Sequence, residues 1–319
     1  MVIEGVPDDD PDQPQRTWPG LVLTSQLSDR DLADLAALVA AATAADGVAP
    51  LSEHALLHLR TDAGPHARHA LVRASDSDAG LLAVAHVDLA GASDHATAEI
   101  VVRPDQRRGG LGSALLGAAA ELAGDSPFRI WAHGNLPAAQ GFAEAHGWER
   151  VRELWQMSRP LADPLPSSPL PDGFTLRAFR PGQDDDAWLA INAAAFAHHA
   201  EQGAWQVADL QQRIAEPWFD PAGFLLLVDD ATGELAGFHW TKVHAAEQPV
   251  GEVYVVGVAP GYQGRGLAKP LTLAGLQHLR GRGLARVMLY VDGDNDAAVR
   301  TYSGLGFTRA ALDVQYARP

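Results

Sequence analysis

The chain has 319 residues, 47% of them hydrophobic and 20% charged. This composition excludes wholesale disorder, and no apolar run approaches the ~18–20 residues of a membrane-spanning helix. Cysteine is absent, which excludes disulfides, thiolate metal sites and cysteine nucleophiles. The net charge of −16 disfavours nucleic acid and anionic membranes as partners, although a few backbone amides can hold a small anion inside an acidic protein.

Residues 1–17 are acidic and Pro-rich and read as a disordered tail. They carry neither the basic start nor the apolar core of a secretory signal, so a cytoplasmic location is expected. An amphipathic helix is predicted over Ser28–Thr43, with Leu32, Leu35, Ala36 and Val39 on one face. Strands follow at Leu81–Val87 and Thr97–Arg103. The latter runs into Pro104-Asp-Gln-Arg-Arg-Gly-Gly-Leu-Gly112 and a helix to Ala123. Next come a strand at Phe128–Ala132, a helix at about Pro137–Ala145, and Gly147-Trp148. Residues 159–172 hold five prolines in fourteen positions and read as a semi-extended linker. Beyond it the order recurs. A helix is predicted at Asp184–Phe196, with strands at Phe224–Val228, Leu235–Trp240 and Gly251–Val258. Then come the turn Pro260-Gly-Tyr-Gln-Gly-Arg-Gly-Leu-Ala268, a helix at Lys269–Arg280, a strand at Arg286–Val291, a helix at Asp296–Ser303, and Gly306-Phe307.

The chain is therefore an internal repeat, pairing Pro104 with Pro260 and Gly110 with Gly266. The reading places one domain at 18–159, a linker at 160–171 and a second domain at 172–319. In each Gly-rich turn, glycines without Cβ atoms let successive N–H groups converge, and the following helix adds its unpaired amides and dipole. Such a nest suits a pyrophosphate. Neither turn has the Gly-x-x-x-x-Gly-Lys-Ser/Thr of a P-loop or the Gly-x-Gly-x-x-Gly of a dinucleotide fold.

Arg107-x-x-Gly110-x-Gly112 and Gln263-x-x-Gly266-x-Ala268 resemble the acyl-CoA signature Q/R-x-x-G-x-G/A of the GCN5-related N-acetyltransferases (GNAT). The resemblance covers both halves. It implies an α/β (α+β) fold of two tandem acyl-CoA N-acyltransferase domains. Each would be a mixed, mostly antiparallel sheet flanked by helices. It also implies acetyl-CoA as co-substrate, possible once per domain. In the first domain Ile100, Val101, Val102, Arg107, Arg108, Gly109, Gly110, Leu111 and Gly112 would line its site. In the second these would be Val256, Gly257, Val258, Gln263, Gly264, Arg265, Gly266, Leu267, Ala268 and Lys269. Asn295, Asp296, Ala297, Ala298, Val299 and Arg300 would join them.

Acetyl transfer needs a base for the amine proton, a donor to the oxyanion and an acid for the leaving thiolate. Glu252, on the strand feeding the nest, is the expected base. Tyr302, on the helix after the last central strand, is the expected acid. Asn295 is placed to cap that helix. Counting back from Pro104 and Gly147 puts Ala96 and Ala143 where the second half has Glu252 and Tyr302. Glu99 matches Val255 and is expected on the opposite strand face. The first half is thus expected to bind acetyl-CoA without turnover.

A narrower resemblance is to the mycothiol-forming branch of the family, although Ala200 stands where that branch usually has Pro. It is carried by Phe238–His244, Gly251–Val258, His199–Gly203 and Leu289–Tyr302. It implies as acceptor the cysteinyl amine of Cys-GlcN-Ins, held by Glu53, Glu201, Lys242, Glu252 and Tyr290. Composition and spacing leave two alternatives open: acetylation of another small amine or peptide N-terminus, and a non-catalytic acyl-CoA-binding protein. His133, His198 and His199 show no metal-ligand spacing, so no metal is expected, and no nucleic acid, membrane or second subunit.

Overall fold

The computed structural model describes residues 18–61, 66–74, 80–89, 94–197, 199–245 and 248–318. The predicted tail at 1–17 and His198 lie outside them. The chain forms two compact units. Of the described residues, the first comprises those within 18–133, 143–149 and 316–318, and the second those within 134–142 and 150–315.

The first unit contains β1 (Leu21–Thr24), α1 (Asp29–Asp46), α2 (Glu53–Arg60), β2 (Ala67–Arg73), β3 (Leu81–Asp88), β4 (Ala96–Val102), α3 (Leu111–Ala123) and β5 (Phe128–Ala132). Helix α1 starts where Ser28 Oγ accepts from the Asp31 amide and Asp31 accepts from the Ser28 amide. It stops at Gly47 in the left-handed region. Its Leu35, Leu38 and Ala42 pack with Ala55 and Leu59 of α2 over Leu71, Val84 and Val101 of the sheet. The sheet runs β1-β2-β3-β4-β5, antiparallel except for the β4–β5 pair. Helix α4 (Pro137–Ala145) follows β5.

The second unit contains β6 (Glu149–Pro160), β7 (Phe174–Ala178), α5 (Asp185–Ala195), α6 (Ala200–Gly203), α7 (Val207–Ile214), β8 (Phe224–Asp229), β9 (Leu235–His244), β10 (Val250–Val258), α8 (Ala268–Gly281), β11 (Arg286–Asp292), α9 (Asp296–Gly304) and β12 (Thr308–Ala317). Its sheet runs β7-β8-β9-β10-β11-β6-β12. Strands β10 and β11 are parallel, while β7–β8, β8–β9, β9–β10 and β6–β11 are antiparallel. One face is closed by α8 and α9, with Leu273, Leu276, Leu279 and Tyr302 over Val253, Val287 and Leu289. The other face carries an aromatic core of Trp188, Phe224, Phe238 and Trp240, which fixes α5 and α7.

The boundary expected at residue 159 is displaced. Strand β6 precedes the Pro-rich segment yet belongs to the second unit, where it pairs with β11 from Leu154 to Pro160. Residues 161–173 carry neither helix nor strand. They are nevertheless packed. Leu161 is buried, Leu165 joins the core under α8, and the Arg159 guanidinium donates to the carbonyls of Asp163 and Leu305.

Candidate active site

The two parallel strand pairs are short. Strands β4 and β5 pair only from Ala96–Phe128 to Ala98–Ile130, and β10 and β11 only from Gly251–Val287 to Val253–Leu289. Beyond those points β4 and β10 continue against their antiparallel neighbours alone, to Val102 and Val258. Each central sheet therefore opens into a wedge, and the edge of Ile100, Val101 and Val102, or of Val256, Gly257 and Val258, turns away from its parallel partner.

The Gly-rich turns lie at the mouths of these wedges and are built alike. Arg107 Nε donates to the carbonyl of Val102 at 3.2 Å, and Gln263 Nε2 donates to that of Val258 at 3.3 Å. The first residue of each motif thus ties the turn to the end of its strand. Arg108 and Gly110 have φ of 65° and 92°, and Gly264 and Gly266 both have 76°. At Gly264 and Gly266 a Cβ would meet nothing within 4 Å, so conformation rather than space favours glycine there. No side chain caps α3 or α8. Their first-turn amides face the turn without the oxygen that most helix starts supply.

In the second unit a cavity of about 510 Å³ sits on this turn. Val258, Gln263, Gly264, Gly266, Leu267, Ala268, Lys269 and Arg300 of the expected set line it, with Tyr262, Thr301 and Gly304. Arg265 instead stacks on Tyr262, 4.7 Å from the ring centre, and donates to Gly261 O. Asn295 caps α9, its Oδ1 accepting from the Ala298 amide at 3.1 Å. Asp296 and Ala297 are exposed, and Ala298 and Val299 pack into the core under α9. In the first unit Gly109 and Gly112 are exposed or half-buried, Leu111 is buried, and Arg107 is clamped by Asp46 through two 2.7 Å bonds that push its pKa up.

Glu252 is 5% exposed on β10, one residue before its pairing with β11 ends. Lys242 lies directly across on β9, and Met288 across on β11. His244 Nε2 is 2.7 Å from the Glu252 carboxylate. The Lys242 ammonium lies over the rings of Trp218 and Tyr254, at 4.6 and 5.1 Å. Tyr290 is two residues beyond Met288 and so shares this face. It is 43% exposed and its hydroxyl accepts from Gln156 at 3.3 Å. Desolvation and the carboxylates of Glu252 and Asp313 push its pKa up. The structure thus brings Lys242, Glu252 and Tyr290 together. Glu201 lies in α6, and Glu53 is the first residue of α2 in the first unit, half-buried. On the opposite face Tyr302 packs among the residues under α9, edge-on to Phe307 at 5.9 Å, and burial pushes its phenol up to about 12.

Strand β10 carries a bulge between Val253 and Val255. Tyr254 and Val255 both face the aromatic core, and Tyr254 OH accepts from the buried Arg213 at 2.8 Å. Strand β4 has no bulge: its register with β3 is unbroken from Thr97 to Val102. This corrects the residue matching. Five residues from the ladder ends Gly237 and Ala83 lie Lys242 and Asp88, opposite Glu252 and Thr97 respectively. The counterpart of Glu252 is Thr97, not Ala96, because the extra residue shifts everything before it by one. For the same reason Glu99 shares the face of Thr97 rather than opposing it. Ser52 donates to it from N and Oγ, both at 2.6 Å, and His133 Nε2 is at 3.1 Å, so Glu99 holds the start of α2. The match of Ala143 to Tyr302 stands. The Trp148 amide bonds to Ala143 O and the Phe307 amide to Tyr302 O, closing the two helices alike.

A sequence profile of the acetyltransferase (GNAT) family matches residues 41–148 and 188–307. The chain belongs to the acetyltransferase (GNAT) family. It is 54% identical over 300 residues to a mycothiol acetyltransferase of Thermomonospora curvata, covering 94% of this chain and 97% of that protein. A mycothiol acetyltransferase of Catenulispora acidiphila is 51% identical, with 91% and 96% covered. Among solved structures, the tandem GNAT protein of the clavulanic acid biosynthesis pathway superposes with a TM-score of 0.69 at 22% identity, covering 93% of this chain and 97% of that one. A GCN5-related N-acetyltransferase of Sphaerobacter thermophilus gives 0.65 at 25% identity, with 94% and 96% covered. The tandem GNAT fold is thereby shown, and GNAT acetyltransferases as a family use acetyl-CoA.

His244, Trp218, Tyr254 and Arg213 escape the sequence reading. The signal for His244 was available: it is two residues from Lys242 on a strand, hence on the same face.

Proposed function

We propose that this GNAT enzyme transfers the acetyl group of acetyl-CoA to the cysteinyl amine of Cys-GlcN-Ins, giving mycothiol, and that the second unit carries the chemistry. The observation that carries the reading is the end of β10–β11 pairing one residue past Glu252, with the Gly264–Ala268 turn at the mouth of the wedge. A thioester lying in that wedge, its diphosphate on the turn, is reached from one face by Glu252 and from the other by Tyr302. The donor supplies an activated acyl group, and the chain's residues do the rest. Glu252 takes the proton of the attacking amine, supported by His244. A free amide on the β10 edge near Val256 holds the oxyanion. The Tyr302 phenol, kept protonated by burial, gives its proton to the leaving thiolate.

The relatives' name and the fit of a carboxylate, an ammonium and a phenol to a polyhydroxylated amine support this acceptor. Glu201 is proposed to complete its site. The first unit repeats the turn but has Thr97 and Ala143 in place of the base and acid, so it binds acetyl-CoA without turning it over. The same reading takes the enzyme to be a cytoplasmic monomer. No helix among the described residues is long and apolar enough to cross a membrane. The test is release of CoA thiol from acetyl-CoA with a panel of amines, clean here because the chain has no cysteine. Release with Cys-GlcN-Ins supports the proposal. Release only with other amines, or none with CoA binding retained, overturns it.

A further inference from the structure

The first unit holds a cluster that acetyl transfer does not use. His54 and His58 are one turn apart on α2, and His86 and Asp88 are two residues apart on β3. Each pair therefore presents both side chains on one face of its element. The elements bring all four together, with one ligand atom from each lying within 4.8 Å of the others. The contacts converge on the Asp88 carboxylate: His58 Nδ1 at 2.9 Å, His54 Nε2 at 3.2 Å and His86 Nε2 at 3.2 Å. A tetrahedral zinc ion with ligands at about 2.0–2.2 Å sets neighbouring donors about 3.3–3.6 Å apart. The contacts to Asp88 would lengthen by a few tenths of an ångström, and the separations of up to 4.8 Å would close toward that range, to admit one.

His86 decides between a hydrogen-bonded cluster and a metal site. Its ring is 1% exposed, and among the described residues Nε2 makes no hydrogen bond, although the Asp88 oxygen is close. Its other nitrogen is 3.2 Å from His69 Nδ1, with the rings stacked 5.1 Å apart. That second contact fixes the ring and, with His86 Nδ1 as donor, leaves the Nε2 lone pair aimed at the cluster. This is how a partner beyond the ligands orients a metal-binding histidine. His54 is 45% exposed and opens the cluster to solvent. By the register given above, Asp88 occupies in this unit the place that Lys242 has in the second.

We infer that His54, His58, His86 and Asp88 form a four-ligand site for a divalent transition metal, zinc above all, that ties α2 to β3. Three imidazoles and one carboxylate favour zinc, cobalt or nickel over magnesium or calcium. The expectation of no metal weighed His133, His198 and His199 and passed over these residues, which only the packing of α2 on β3 unites. The inference is independent of the acceptor's identity and of which unit is catalytic.

The test uses the full chain without a polyhistidine tag, stripped with chelator and dialysed. Zinc is titrated by calorimetry and cobalt by visible absorption. We expect one equivalent of zinc, a four-coordinate cobalt spectrum with no thiolate band, and a rise in Tm of several degrees at about a hundredfold excess over Kd. Asp88→Asn should weaken binding by about a hundredfold or more. His54→Gln, on the exposed side and so safe for folding, should lose the tetrahedral cobalt spectrum while circular dichroism stays unchanged. Substoichiometric zinc binding by the wild type overturns the inference. So does wild-type affinity in a folded His54→Gln/His58→Gln variant.

Discussion

Replacing Glu252 with Gln tests the chemistry most directly. The substitution is nearly isosteric, and the amide can still bond to His244, 2.7 Å away. Glu252 is buried but lies on the wedge, and no residue of the turn touches it in the contacts described above. Donor binding should therefore persist while proton transfer fails. General-base catalysis contributes about 10²–10⁴ in rate, which is about 3–5 kcal/mol on the barrier. His244 is 40% exposed and already beside the site, so it can accept the amine proton less favourably. We expect kcat to fall nearer a hundredfold than ten-thousandfold, and Glu252→Gln/His244→Gln to fall further. Thiol release at saturating acetyl-CoA gives kcat, calorimetry gives the acetyl-CoA Kd, and denaturant unfolding controls for stability. A kcat within about threefold of wild type would refute the role of Glu252.

Tyr302→Phe should lower kcat at least about tenfold. Its Tm should change little, since the ring keeps its contact with Phe307 and no hydrogen bond of its hydroxyl is seen among the described residues. Thiol release and a thermal melt check both halves of that statement. Gly275→Ala should destabilise the second unit, because a Cβ there falls on the imidazole of His239, whose Nδ1 is 3.0 Å from Leu271 O. Overpacking costs about 1–3 kcal/mol. A helix-propensity gain of about 1 kcal/mol offsets part of it. Urea unfolding that shows the variant more stable than wild type would negate the clash. Acid should destabilise the protein through two buried histidines. Burial lowers His69 to about 3 and His239 to about 4, so both stay neutral in the fold while the unfolded chain protonates near 6.5. The unfolded state then binds more protons, and stability falls as pH drops from about 6.5 toward 4, on the order of 3 kcal/mol for His239. His239→Gln should flatten that slope in unfolding curves measured between pH 7 and 4.

Much of this molecule could be read from residues alone, for physical reasons. The Gly-rich turns announce themselves because left-handed backbone at 264 and 266 favours glycine. The strands feeding them are short runs rich in β-branched residues, so Thr97–Arg103 and Gly251–Val258 are found within a residue of where they lie. The bulge at Tyr254 could not be read, because it arises from packing of Tyr254 and Val255 into an aromatic core assembled from α5, β8 and β9. That single extra residue misplaced the counterpart of Glu252. Helix α2 was missed because Glu53–Arg60 is too short to show periodicity, and with it went His54 and His58. Strand β6 was assigned to the wrong unit because sequence order suggests that a strand pairs near home.

The position of β6 has a consequence for synthesis. Residues 149–160 leave the ribosome long before β11 and β12, the two strands that flank them. The second sheet therefore closes only at the very end of translation, with a segment made in its first half waiting as an unpaired edge. A split of the gene within the proline stretch would strand that segment on the wrong polypeptide. The downstream fragment should then recover its fold only when the upstream one is supplied.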